Sequence, residues 1–222
     1  MSIRSLIANF EPRQRAPWVA DYAAKSWSVS NSALTLYFNA QPGDYVLLLI
    51  GSTYYDAMQG LSYLGIPSGF TALNSASSNI KLCGRKLTSS LSQLSVSYSG
   101  GTPAAISACV VVVRGADATS PLIEFTFYGS SSGNANSPAV SVENNSLVVS
   151  AIRSLNPAYQ AVQPTGYTLL GKTYGRSNTT YNVVAAAYKT IPLAGSEDPP
   201  SWTTSGATGN SAFSVSFRPL PN

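Results

Sequence analysis

The sequence predicts an all-β protein, an antiparallel β-sandwich with very little helix. Only 10% of the 222 residues are charged, and Ser, Thr, Asn and Gly fill many of the polar positions that Glu, Lys and Arg hold on soluble helices. Short apolar or alternating runs recur along the chain, separated by Gly, Pro, Asn and Ser. The same order of segments occurs twice, so we expect a sandwich built from two similar sequence halves.

The strand candidates follow one another at short intervals. They lie at residues 33–38, 45–50, 91–98, 106–113, 123–128, 147–152, 181–188 and 212–217. Residues 45–50 are continuously apolar, which is typical of a strand buried on both faces, and residues 106–113 are expected to be another buried run. Residues 91–98 and 123–128 alternate between apolar and polar, which indicates one solvated face. The helix candidate at 54–64 is weakened by a glycine inside it and another just after it.

An internal repeat is the strongest feature of the sequence. Residues 66–73 (Ile-Pro-Ser-Gly-Phe-Thr-Ala-Leu) match residues 163–170 (Gln-Pro-Thr-Gly-Tyr-Thr-Leu-Leu), which makes Phe70 the counterpart of Tyr167. Blocks before and after this match keep the same order, with Tyr188-Lys189 aligned to Arg85-Lys86. A period of about 100 residues is too long for a solenoid repeat and indicates a duplicated half of a jelly-roll-like sandwich.

These boundaries predict an N-terminal arm at residues 1–28 and a β-sandwich at residues 29–222. The sandwich is made of repeats at about 30–115 and 130–218. The repeats either combine in one body, which we favour because no flexible linker separates them, or form two domains.

The residue types argue against an enzyme and against a cofactor or metal site. There is no histidine, which excludes His-centred triads and His/Cys zinc sites. No Gly-rich phosphate loop or nucleophile elbow is present, and the adjacent acids Glu197 and Asp198 lie in a Pro-rich segment predicted to be a solvated loop. The net charge of +4 comes from scattered Lys and Arg, so the sequence does not predict a nucleic-acid partner.

The 13 tyrosines and two cysteines each allow two interpretations. Tyrosines among small polar residues are candidates for glycan or receptor contacts, namely Tyr54, Tyr55, Tyr128, Tyr159 and Tyr174. The alternative is that they cap strand ends with a wet hydroxyl. Cys83 and Cys109 lie in apolar runs and are expected to be buried reduced thiols, although the spacing also permits a disulfide.

The N-terminal residues lack the apolar core of a signal peptide, and no apolar run approaches the length of a membrane span. The sequence therefore predicts synthesis in a cytoplasm and no association with a membrane.

The combined order of these blocks resembles a family of β-rich proteins from tailed phages and prophages. The resemblance runs from about residue 30 to the C-terminus and rests on Gly43-Asp44, Pro67-Ser68-Gly69-Phe70-Thr71, Arg114-Gly115-Ala116-Asp117, Pro164-Thr165-Gly166-Tyr167-Thr168, Tyr188-Lys189, Glu197-Asp198-Pro199-Pro200-Ser201-Trp202-Thr203 and Arg218-Pro219. Arg85-Lys86 departs from the Tyr-Lys of the pattern. The resemblance implies a non-catalytic component of a bacteriophage virion, in capsid decoration, a tail or a fibre.

A virion role sets expectations for partners. We expect contacts with other virion proteins and a homo-oligomer, with a trimer favoured by the resemblance. Arg13, Arg15, Trp18 and Trp27 give the N-terminal arm charged and large apolar groups, so we expect it to dock on a neighbouring subunit or the shell. The competing function is a carbohydrate- or receptor-binding module on the same fold, for which the tyrosines named above are the candidates.

Overall fold

The computed structural model describes residues 15–27, 33–52, 66–74, 80–97, 105–130, 133–156, 160–177, 180–204, 207 and 209–221. Within these ranges the chain is all-β, without helix, as the sequence predicts. The strands are β1 Trp18–Trp27, β2 Ala33–Ala40, β3 Tyr45–Ser52, β4 Thr71–Ala72, β5 Ile80–Lys86, β6 Leu91–Ser97, β7 Ile106–Arg114, β8 Leu122–Ser130, β9 Val140–Val142, β10 Ser146–Asn156, β11 Thr168–Ser177, β12 Thr180–Ile191, β13 Gly195–Glu197 and β14 Gly209–Phe217. The predicted helix at 54–64 lies outside the described residues, as do Arg13, Tyr54, Tyr55 and Tyr159.

Two five-stranded antiparallel sheets form the body of the molecule. Sheet 1 has the order β1-β7-β3-β5-β4, and sheet 2 has the order β8-β14-β10-β12-β11. Each strand of sheet 1 has a counterpart at the same place in sheet 2, from β1 and β8 at one edge to β4 and β11 at the other. Each half of the chain therefore supplies a complete sheet. The duplication predicted from the sequence is therefore present in the fold.

The sheets stack face to face and enclose a shared apolar core. Leu47, Leu49 and Val111 of sheet 1 pack with Val149, Phe213 and other residues of sheet 2. The outer face of sheet 1 is covered by the pair β2-β6, and that of sheet 2 by the pair β9-β13. The halves thus form one sandwich, in which whole sheets pack together.

The burial of each strand follows its sequence pattern. Every residue of β3 is buried, because one face of this central strand meets sheet 2 and the other meets β2 and β6. Strand β6 alternates, with Leu94 and Val96 buried between exposed polar residues, because it forms an outer layer. The apolar period of each run thus matches the number of its covered faces.

Residues 18–27 correct the predicted domain boundaries. The sequence predicts an arm over residues 1–28, but residues 18–27 form β1, which pairs antiparallel with β7 along its whole length. Strand β1 is the counterpart of β8, and both strands carry a register shift, at Ala20 in β1 and at the equivalent Ile123 in β8. The repeats therefore begin at about residues 18 and 121, earlier than the predicted 30 and 130.

The same brace follows the register shift in both copies. The Asp21 carboxylate accepts a hydrogen bond from the Asn39 backbone N–H at 2.6 Å, and Glu124 accepts one from the Ser141 N–H at 2.5 Å. The N–H of Ser141 holds the pKa of Glu124 below its ordinary value. Each brace ties an edge strand to the two-stranded layer that covers its sheet.

The matched Pro-x-Gly-aromatic segments confirm the predicted equivalence of Phe70 and Tyr167. Each is a turn in which the aromatic N–H donates to the proline carbonyl at 3.1 Å. The intervening glycines have φ of 80° and 81°, a region that side chains disfavour. The sequence match of Tyr188-Lys189 to Arg85-Lys86 is wrong by one residue. Thr71 and Thr168 are equivalent, and they pair with Gly84 and Tyr188, so Gly84 is the counterpart of Tyr188. Arg85 is therefore the counterpart of Lys189.

The two cysteines are free and buried, as expected. Cys83 belongs to the core between sheet 1 and its outer layer, whereas Cys109 belongs to the core between the sheets. Because their side chains lie on opposite faces of sheet 1, they do not pair.

Candidate functional site

An open cleft lies at the end of sheet 1 where β1 begins and β7 ends. It has a volume of about 310 Å³. The residues that give it its character are Trp18, Pro42, Asp44, Lys86, Arg114 and Leu220. The pairing of β1 with β7 places Trp18 opposite Arg114, and the antiparallel bridge between Ala116 and Pro219 places Leu220 nearby.

Trp18 forms an exposed apolar wall of the cleft. Its indole packs against Gly115, where a Cβ atom would lie 2.6 Å from the ring carbon Cζ3. Gly115 also has a φ of 77°, so this position requires glycine for two independent reasons. Although one side of the indole is packed in this way, 45% of the residue stays exposed. Exposed and positioned tryptophans are common centres of binding energy at interfaces.

An ion pair between a partly exposed arginine and a buried carboxylate forms the floor. Arg114 Nε and Nη2 donate to Asp44 Oδ1 and Oδ2, each at 2.8 Å, and this fork geometry is the strongest arrangement for these groups. The hydrogen bond to Asp44 raises the pKa of Arg114. Asp44 Oδ2 also accepts the Gln41 N–H, and the Asp44 side chain is only 2% exposed. The floor is therefore rigid and electrostatically compensated.

Lys86 is also directed into the protein. Its Nζ donates to the carbonyl of Asp117 at 3.2 Å and more weakly to that of Ala116. Partial desolvation lowers the pKa of Lys86, and the carboxylates of Asp117 and Asp44 oppose that shift. The charged groups of the cleft thus have partners within the chain, while Trp18, Pro42 and Leu220 give it exposed apolar surface.

The equivalent place in the second half has a different surface. There Pro121 corresponds to Trp18, Thr190 to Lys86 and Ser146 to Asp44, as the strand pairing shows. An ion pair is retained between Arg218 and Glu143, 2.8 Å apart. Since the second half folds without an exposed tryptophan at this position, Trp18 is not required by the architecture.

The residues predicted as glycan contacts do not form one site among those that the structure describes. Tyr128 and Tyr174 are 49% and 46% exposed, but they lie on β8 and β11, the opposite edges of sheet 2. Of the predicted partner contacts, Trp18 lines the cleft, Arg15 is exposed in the segment before β1, and Trp27 is the last residue of β1. A shared surface for all four residues is not seen in the described part of the chain.

The acidic segment after β12 also differs from expectation. It was predicted to be a solvated loop, but Glu197 accepts hydrogen bonds from Lys189 Nζ at 2.9 Å and from the Tyr167 hydroxyl at 3.0 Å. Burial, followed by the charge of Glu197, raises the pKa of Tyr167, so the phenol stays protonated. These three side chains hold the second turn against the outer layer.

Asp44, Lys86 and Arg114 were missed as site residues by sequence reasoning. Gly43-Asp44 and Arg114-Gly115 were visible as separate repeat blocks, but they are far apart in the sequence and only the pairing of β3 with β7 brings them together.

Across the described ranges, no group of three or more potential metal ligands occurs. No helix with the length and apolarity of a membrane span is found in those ranges. No protein-family model, curated protein or solved structure matches the chain.

Proposed function

We propose that this chain is a non-catalytic structural component of a bacteriophage virion, in capsid decoration, a tail or a fibre. In this proposal the Trp18 cleft binds a neighbouring virion protein. The observation that carries it is an exposed indole held beside a rigid, charge-compensated floor. The resemblance of the repeat blocks to phage proteins supplies the virion context.

The chemistry of the cleft favours an apolar side chain as the occupant. Trp18, Pro42 and Leu220 offer surface that gains free energy when it is removed from water, at about 25 cal/mol per Å². An aliphatic or proline side chain of a partner can cover this surface without requiring new hydrogen bonds. Arg15, which is exposed in the segment before Trp18, offers a cation at the rim for an acidic group of the partner.

A sugar fits the same cleft less well. Carbohydrate hydroxyl groups need protein donors and acceptors that are available for them, whereas Asp44, Arg114 and Lys86 already bond within the chain. Releasing Asp44 from Arg114 would leave a nearly buried carboxylate without its partner, at a cost of about 3–5 kcal/mol. Glycan or receptor binding therefore remains the second function, with Tyr128 and Tyr174 as its exposed candidates.

The test is the incorporation of Trp18→Ala into particles that carry this protein. Loss of a central tryptophan contact weakens an interface by about 2–4 kcal/mol, so the variant should be largely absent from purified particles at limiting concentration. Tyr37→Ala is the matched control, because Tyr37 is a still more exposed aromatic on β2 and does not line the cleft.

Both variants should keep the far-ultraviolet circular dichroism spectrum of the parent, which shows that they are folded. Normal incorporation of Trp18→Ala would contradict the role of the cleft. A glycan array that detects a sugar, with binding lost in Tyr128→Ala or Tyr174→Ala, would favour the second function.

A further inference from the structure

In the part of the chain that the structure describes, strand β8 has an exposed aromatic edge. It ends sheet 2, and among the described strands its backbone pairs with β14 alone, while the Glu124 side chain accepts the Ser141 N–H of β9. Phe125 and Phe127 point towards the space between the sheets, with ring centroids 6.0 Å and 5.0 Å from that of Phe213. Phe127 is nevertheless 38% exposed, and Tyr128, directed to the other face, is 49% exposed.

Strand β1, the counterpart of β8, shows what a finished edge looks like in this fold. It is covered by the ten-residue strand β11: Tyr22 packs on Gly171, and the Ser26 hydroxyl donates to the Tyr174 carbonyl at 2.6 Å. The counterpart of β11 in the first half is β4, which has only two residues in the described part of the chain.

The side chains of the two edges differ in the same sense. Ala24 and Lys25 of β1 correspond to Phe127 and Tyr128 of β8, as the pairing with β7 and β14 shows. A lysine on an edge strand opposes pairing with a strand of another chain. Small residues such as Ala24 offer such a strand little apolar surface. Strand β8 has no charged residue after Glu124.

We propose that β8 pairs antiparallel with β8 of a second copy of this chain, about a two-fold axis at Thr126. The two copies of sheet 2 then form one continuous sheet. Thr126 faces its own equivalent, Phe125 faces Phe127 of the other copy, and Glu124 faces Tyr128 of the other copy.

The sequence of β8 specifies this register. Thr126 is the central residue of Leu122–Ser130, so pairing about it uses the full strand. Aromatic pairs directly opposite each other are favourable in antiparallel sheets. The Thr126 hydroxyl donates to the carbonyl groups of Pro138 and Ala139 of its own copy, so the pair of threonines at the axis leaves no hydroxyl without a partner. A register centred on Glu124 would instead set like charges against each other, and a one-residue slip would exchange the two faces of the strand.

This contact is separate from the proposed function, since it uses none of the cleft residues. It is isologous and produces a dimer, whereas a trimer requires a heterologous contact. Both kinds of contact can occur in one assembly.

Sedimentation across a range of protein concentrations tests the contact. The parent chain should show a monomer–dimer equilibrium. In Tyr128→Glu two pairs of like charges oppose each other in the proposed register, so dimerisation should weaken about tenfold. Tyr128→Lys, which faces Glu124, should still dimerise and become more sensitive to salt. Tyr174→Glu is the matched control on the opposite edge and should behave as the parent.

A cross-link tests the register itself. Directly opposed residues have Cα atoms about 4.5–5.5 Å apart, which a disulfide can span. Thr126→Cys should therefore form a covalent dimer under mild oxidation, and Lys172→Cys on β11 should not. A parent chain that is monomeric at all concentrations, a dimer unaffected by Tyr128→Glu, or no cross-linking through Thr126→Cys would each overturn the proposal; circular dichroism confirms that each variant is folded.

Discussion

Each half of the chain forms an ion pair between an arginine and an acidic residue of a turn, but the acidic residue occupies a different position of the turn in each half. In the first half, Arg114 binds Asp44, which is the last residue of the turn before β3. In the second half, Arg218 binds Glu143, which occupies the place of Gln41, while Ser146 occupies that of Asp44. The backbone hydrogen bonds of the two turns agree, with Asp44 N–H donating to Gln41 and Ser146 N–H donating to Glu143. What the copies share is therefore a tie between a turn and a strand end, and not a particular acidic residue.

The tyrosines that pack against the core between the sheets show the same exchange. Tyr45 of β3 lies over Gly84 of β5, whereas in the second half Leu147 takes the place of Tyr45 and Tyr188 that of Gly84. Each sheet thus places one tyrosine at this site, supplied by a different strand.

A third exchange occurs between the sheets. Arg153 corresponds to Gly51, and the two residues meet: a Cβ on Gly51 would lie 2.7 Å from Arg153 Cγ. Arg153 Nε donates to Asn182 Oδ1 at 3.1 Å, and Nη2 donates to the Ser52 carbonyl of the first half. The absence of a side chain in one copy makes room for the long side chain of the other.

The largest expected effect on stability comes from removing the Arg153 side chain, which packs on Gly51. Arg153→Ala removes donors from Asn182 and Ser52 and opens a cavity, so the free energy of unfolding should fall by about 3–5 kcal/mol in denaturant titrations. Gly51→Ala alone should cost about 1–3 kcal/mol by overpacking. If the two positions are complementary, Gly51→Ala costs less in the Arg153→Ala background, and equal costs in both backgrounds would contradict the complementarity.

A smaller effect is expected at the exchanged tyrosine. In Gly84→Ala the added Cβ would lie 1.9 Å from the Tyr45 hydroxyl, so the buried ring must move and stability should fall by about 1–3 kcal/mol. Adding Tyr45→Leu, which is the residue of the second half, should restore a large part of the loss by thermal denaturation. A double variant no more stable than Gly84→Ala would show that the exchange is not compensatory.

The two ion pairs should differ by their exposure. Asp44→Asn disturbs a nearly buried carboxylate and should cost about 1.5–3 kcal/mol, while Glu143→Gln disturbs one that is 43% exposed and should cost under about 1 kcal/mol. Combining Gln41→Glu with Asp44→Ser copies the second half into the first. Chemical denaturation should find this pair more stable than Asp44→Ser alone, and the reverse order would argue against interchangeable turns.

The sequence predicted the elements whose own patterns decide their structure. The apolar run of β3, the alternation of β6 and the matched turns of Phe70 and Tyr167 required no knowledge of the fold. Strand β1 was missed because its alanines, lysine and aspartate show no clear period of two, and its structure depends on pairing with β7. The cleft was missed for a related reason, since its floor joins β3 to β7 and neither sequence segment indicates the other.

The buried thiols have a practical consequence for following the molecule in solution. Burial raises the pKa of Cys83 to about 11 and that of Cys109 to about 12, so at neutral pH both remain protonated and poorly nucleophilic. A thiol reagent can reach them only when the corresponding layer opens. Cys83 lies beneath the outer layer and Cys109 lies between the sheets. The labelling rate of each thiol would therefore measure how often its own layer opens, without any introduced probe.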